Sequence, residues 1–147
     1  MKILNPIKTV KDLLMFVHQL PQNLLGMLVI QVTHAWYSVS WEHCYFTDKL
    51  DAAVSLGNFI IAPKSCYNMT SVLWHERGHQ KQSRKYGWLY LFIVGIPSAV
   101  RNVWDRIAHR KWTNEQRDKW YYSGFPEKQA DKLGNVNRSR IWEIMYC

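Results

Sequence analysis

The sequence predicts an α+β domain, mainly helical, with a small antiparallel sheet next to a polar helix. Three observations carry this. Capped helical stretches open the chain and return from residue 70 onward. Short β-prone runs gather between residues 36 and 62. The composition is globular, 48% apolar and 20% charged over 147 residues, which excludes a disordered or fibrous chain and favours one domain, 1–147.

Each element has a local reason. Thr9, with Asp12 three residues on, forms a capping-box pattern. Val10, Leu13, Leu14, Val17 and Leu20 then recur at helical spacing. Pro21 suits the first turn of a second helix that runs to about Val32. That helix is apolar nearly all round, so burial is expected. Trp36–Trp41, Cys44–Thr47, Ala52–Leu56 and Asn58–Ile61 read as short strands, two or three of them forming the sheet. Asp48-Lys49 and Gly57 break them, and Pro63 closes the region. Thr70 or Ser71 caps a third helix, which Gly87 stops after Tyr86. The apolar segment 88–100 is helical up to Pro97 or restarts there. Helices follow over Ser98 to about Arg110 and over Asn114–Tyr122. A loop at Ser123–Phe125 leads to a short final helix that begins at Pro126, with Gly134 just past its end.

Charge and composition bound the partners. Nineteen Lys and Arg against eleven Asp and Glu give a net charge of +8, which suits nucleic acid or anionic lipid. No long Lys/Arg block is present, so no specific nucleic-acid partner is expected. The apolar runs at 24–32 and 88–100 fall short of the ~20 residues a spanning helix needs. They read as core helices, with peripheral membrane contact through 88–100 left open. Three cysteines without C-x-x-C spacing read as reduced thiols. Together with an N-terminus lacking a signal-peptide pattern, they suggest a cytoplasmic chain, with membrane association open.

The chemistry sits in His75-Glu76-Arg77-Gly78-His79, an H-E-x-x-H sequence on the third helix. Positions i and i+4 share a helix face, so both imidazoles can bind one metal. Glu76 is placed to act on a zinc-activated water as general base. Gly78, inside a helix, leaves room for another segment to approach closely. Two His leave tetrahedral zinc short of a protein ligand. Downstream, Glu127 can supply that ligand, and Asp131, one turn on, can accept the remaining N–H of a ligating His. Asp105 and His109, also four apart, are the rival source of a third ligand.

The pair His75-Glu76-x-x-His79 and Glu127-x-x-x-Asp131 resembles the gluzincin pattern of thermolysin-like zinc metallopeptidases. The resemblance implies a zincin-like domain with zinc on His75, His79 and Glu127. It also implies Glu76 as base and Asp131 behind His75. The metzincin extension does not fit, because Gln82 and Lys85 stand at its glycine and histidine positions. The implied activity is amide-bond hydrolysis of a peptide or protein substrate. Its oxyanion would need a donor; Tyr122 is the leading candidate, with Tyr121 and His109 as others. Arg138 and Arg140 are candidates for a substrate carboxylate, and Val54–Ile61 for an edge strand that pairs with substrate. The alternative is a non-catalytic basic and aromatic binding module on a zincin scaffold, facing nucleic acid or a membrane. Retention of Glu76 favours the enzyme.

Overall fold

The computed structural model describes residues 9–38 and 43–146, with side chains as far as Trp142. The strand expected over Trp36–Trp41 lies partly outside these residues, as do Lys2, Lys8 and Cys147. Helix makes up 66% of the described residues and the sheet has four short strands, so the α+β class holds with helix dominant. In chain order the elements are α1 (Val10–His18), α2 (Leu20–Thr33), β1 (Trp36–Tyr37), β2 (Cys44–Thr47), β3 (Val54–Leu56) and β4 (Phe59–Pro63). Then come α3 (Thr70–Tyr86), α4 (Ile96–Ala108), α5 (Asn114–Tyr121), α6 (Glu127–Gly134) and α7 (Arg138–Tyr146). A 3-10 turn at Gly87–Leu89 and a π turn at Leu91–Gly95 join α3 to α4.

The Thr9 cap forms as the sequence suggests. Asp12 N donates to Thr9 Oγ1 at 3.1 Å, and Thr9 N donates back to the Asp12 carboxylate at 2.9 Å. A second capping box, Thr113 with Gln116, starts α5. By contrast, α3 begins at Thr70 with no side-chain cap from Thr70 or Ser71. The segment after α3 restarts as α4 with Pro97 in its first turn. Gly134 is the last residue of α6 rather than the one beyond it, and Asn135 takes the left-handed cap at φ 58°. A helix beyond α6 was not expected. Its start is marked by Asn137, whose side chain accepts from Arg140 N at 3.2 Å.

The sheet departs from the antiparallel expectation. Its order is β1-β2-β4-β3, and the central pair, β2 with β4, is parallel. Only the outer pairs, β1 with β2 and β3 with β4, are antiparallel. The buried faces explain this: β2 and β4 are covered at every residue, as interior parallel strands are. Val54–Ile61 is therefore not one edge strand. It is a hairpin whose first arm, β3, lies at the edge and whose second arm lies inside the sheet.

One core cluster joins Ile30 and Ala35 to Tyr45, Leu56, Phe59 and Ile61 on one side of the sheet. A second joins Cys44, Phe46, Ile60 and Ala62 to Leu73 of α3. The helix α2 is not buried all round. Its inward face is Gln22, Asn23, Gly26 and Ile30, while Leu24, Leu25, Leu28 and Val32 face outward. The polar inward residues are tied down: Gln22 Nε2 donates to Ser83 Oγ at 3.0 Å and to Gly87 O at 2.9 Å, and Asn23 Oδ1 accepts from Asn58 N at 2.8 Å. These bonds hold α2 against the end of α3 through Gln22, whose own Oε1 is left without a partner, and against the turn between β3 and β4 through Asn23. No single helix among the described residues is long and apolar enough to cross a membrane; α1 and α2 meet at 89°.

Two glycines set the position of the site. A Cβ on Gly78 would lie 1.9 Å from Ala130 O, and one on Gly134 would lie 2.1 Å from Trp74 O. The backbones of α3 and α6 therefore touch at two points along their length. That contact brings Glu127 over His75 and His79, which is the close approach expected of Gly78.

Candidate metal centre

The helix α3 carries both histidines toward α6. His75 Nε2 and His79 Nε2 are 3.2 Å apart. Glu127 Oε2 lies 3.0 Å from the first and 3.1 Å from the second. These three atoms form a nearly equilateral triangle. Ligands at the 2.0–2.1 Å of tetrahedral zinc stand about 3.3 Å from one another, so the triangle has the dimensions of one face of such a site. Among the described residues this is the one group of at least three His, Cys, Asp or Glu that gathers so closely.

The outer nitrogens fix the tautomers. His75 Nδ1 donates to Asp131 Oδ1 at 2.7 Å, and His79 Nδ1 donates to Gln82 Oε1 at 2.7 Å. Gln82 is itself oriented, since its Nε2 donates to Pro126 O at 3.0 Å and to Gln129 Oε1 at 2.9 Å. Both Nε2 lone pairs are thus aimed inward. Asp131 is gripped by Arg138, whose Nε and Nη2 each reach its carboxylate at 2.8 Å. The second Glu127 oxygen, Oε1, accepts from Ser98 Oγ of α4 at 2.5 Å. Ser98, Gln82 and the Asp131 role of Arg138 were not expected. Gln82 lies three residues from His79 on the same helix, a spacing that could have signalled it. Ser98 carries no such signal.

Charge and burial are matched here. His75 and His79 are each 5% exposed and Glu127 1% exposed. Burial works against a charged His75, but the Asp131 and Glu127 hydrogen bonds outweigh it and push its pKa up to about 9. Burial likewise opposes ionised Glu127, yet the two imidazoles hold it well below the usual carboxylate range. Asp131 is also lowered, by His75 and Arg138 against burial. A proton or a metal ion is what reconciles three inward lone pairs at this spacing.

Glu76 adjoins the triangle without joining it. It is buried, and its Oε2 has no hydrogen-bond partner. Burial raises its pKa, the two imidazoles lower it, and the charge of Glu127 raises it further. An orphaned acceptor beside a cluster with metal-site dimensions fits the chemistry of a zinc site that holds water.

The remaining candidates separate. The Tyr122 ring stands edge-on to His75 with centroids 5.2 Å apart, and Arg138 lies 3.6 Å from its centroid on the other contact. Burial raises the Tyr122 phenol, keeping it protonated. Tyr121 is raised too, by burial and then by Glu127. Asp105 and His109 pair with each other at 3.1 Å instead of reaching the triangle, and Arg117 covers Asp105. His109 is stacked on Trp112 at 3.8 Å between centroids. Arg138 is committed to Asp131, whereas Arg140 is exposed. The edge strand is engaged as well, because Tyr90 Oη donates to Ser55 O of β3 at 3.1 Å.

Comparison of the chain with protein-family models, curated proteins and solved structures found no match.

Proposed function

We propose that this chain is a zinc-dependent metallopeptidase of gluzincin type, acting on the amide bonds of a peptide or protein. The observation that carries the reading is the lone-pair triangle of His75, His79 and Glu127, with the unpartnered oxygen of Glu76 beside it. His75, His79 and Glu127 would hold the ion. Zinc in such a site acidifies water and polarises a carbonyl. The chain supplies the rest. Glu76, a buried carboxylate with a raised pKa, accepts the proton of the attacking water and delivers it to the leaving amine. Asp131 and Gln82 keep both imidazoles in the tautomer that leaves Nε2 free. Tyr122, whose raised pKa keeps it a donor, is the candidate for the oxyanion.

Elemental mass spectrometry on wild type, Glu76→Gln and Glu127→Ala tests this. About one zinc per chain is expected in the first two and little in the third. No zinc in any of them after zinc add-back would overturn the reading. Zinc without hydrolysis of any peptide in a library would leave a metal-bound binding module.

A further inference from the structure

A second surface has no part in the metal chemistry. Along the path from the end of α3 through α4, Leu89, Phe92, Ile96, Val100, Val103 and Ile107 fall three or four residues apart, and all are exposed. Phe92 and Ile107 are each 68% exposed, far beyond what scattered surface apolar residues require. Trp88 and Trp104 stand exposed beside them. The stripe does not end at Trp88. Its indole Nε1 donates to Val17 O at 2.9 Å, which joins it to the exposed Val10, Leu13, Leu14 and Val17 of α1. The opposite face of α4 is the polar one: Ser98 holds Glu127, Arg101 holds the Trp120 and Tyr121 carbonyls, and Asp105 is buried. The helix is amphipathic with its apolar side turned outward, the reverse of a core helix.

Charge identifies what covers it. Between Arg84 and Trp112 there are six basic residues, Arg84, Lys85, Arg101, Arg106, Arg110 and Lys111. The same stretch has a single acidic residue, Asp105, which lies buried against Arg117. Arg106, Arg110 and Lys111 are exposed at the C-terminal end of the stripe, and Arg84 and Lys85 at its start. A second copy would set basic ends against basic ends. An anionic bilayer offers hydrocarbon for the stripe, a headgroup layer for the tryptophans, and negative charge for both ends.

We propose that the chain docks onto anionic lipid surfaces through the outward face of α4, the segment leading into it and α1, lying in the interface rather than crossing it. The candidate metal centre is then held one helix, about 10 Å, from the lipid. Docking does not depend on the metal reading.

Co-sedimentation of the full chain with vesicles of phosphatidylcholine, with or without phosphatidylglycerol, tests this. Wild type is expected to pellet with the anionic vesicles and to stay in solution with phosphatidylcholine alone. Phe92→Asp with Ile107→Asp, at exposed positions, is expected to stay in solution with an unchanged circular dichroism spectrum. Charge reversal at Arg106, Arg110 and Lys111 is expected to weaken binding at least about tenfold. Three results would each overturn the proposal: wild type soluble with both vesicles, equal binding to both, or an aspartate variant that binds like wild type. A concentration-dependent dimer that the aspartate variant dissolves would also overturn it, in favour of a second copy.

Discussion

Glu76 is costly to keep. Its Oε2 is buried with no donor, and burial raises its pKa, so the charged form opposes folding near neutral pH. Glu76→Gln keeps the shape and removes the charge. It is expected to stabilise the protein by about 1–2 kcal/mol in a thermal melt, to retain zinc, and to lower peptidase turnover by roughly 10²–10⁴. Loss of stability and zinc together would make Glu76 a structural or ligating group. His75 has the opposite sign. Its folded pKa, about 9, lies above the ~6.5 of an unfolded histidine. In the metal-free protein its ion pairs therefore stabilise fully below that unfolded value and are lost as pH rises through about 9. Zinc must displace the same proton, so zinc affinity rises with pH toward that value, and the zinc-loaded protein lacks the alkaline loss. Melts from about pH 6 to about pH 10, with and without zinc, check both; an identical profile in the two forms would sink the argument. At this scale much was legible. The i, i+4 spacing dictates that His75 and His79 share a face, and Glu127 with Asp131 repeats that spacing. Ser98 was not legible, because a lone serine 29 residues away acquires its role only when α4 packs.

The contact of α3 with α6 turns two distant motifs into one site. A methyl group at Gly78 has no room, since its carbon would sit 1.9 Å from Ala130 O, a backbone atom that cannot turn aside. Helix propensity alone would make Gly78→Ala stabilising by about 1 kcal/mol. Overpacking opposes it by about 1–3 kcal/mol and moves Glu127 off the histidines. Gly78→Ala is accordingly expected to lower both the melting temperature and the zinc affinity in a calorimetric titration. A stabilised variant with unchanged affinity would mean the helices are not locked at this point. The same contact explains what could be read in advance. Caps, prolines and Gly87 announce where helices start and stop, because those signals are local. Strand direction is not local. Cys44–Thr47 and Phe59–Pro63 are covered on both faces and run parallel, and nothing in their own residues separates that from an antiparallel pair. The last helix went unseen because its start rests on one short-range bond from Asn137.

Across the whole molecule, apolar and polar packing are unevenly shared. Both apolar clusters, with the side chains packed against them, are built from residues no later than Leu91. Beyond Leu91 the buried apolar side chains among the described residues are Val94, Pro126 and Ala130, while Asp105, His109, Glu127 and Asp131 are buried polar groups. The sheet and the start of α3 are held mainly by hydrophobic contact, with α2 added through Ile30 and its buried amides. The region from α4 to α6 is held by the Asp131–Arg138, Asp105–Arg117 and Ser98–Glu127 contacts and by the histidines themselves. An ion bound to His75, His79 and Glu127 would link the two regions, stabilising the bound form by about 4 kcal/mol at a thousandfold excess over its dissociation constant. Removing it should then loosen the molecule unequally. Amide hydrogen exchange is expected to accelerate in α4 and α6 when zinc is stripped, with β2 and β4 keeping their protection. Exchange that rises equally in the sheet and in α6 would mean the fold opens as one unit, with the ion serving chemistry alone.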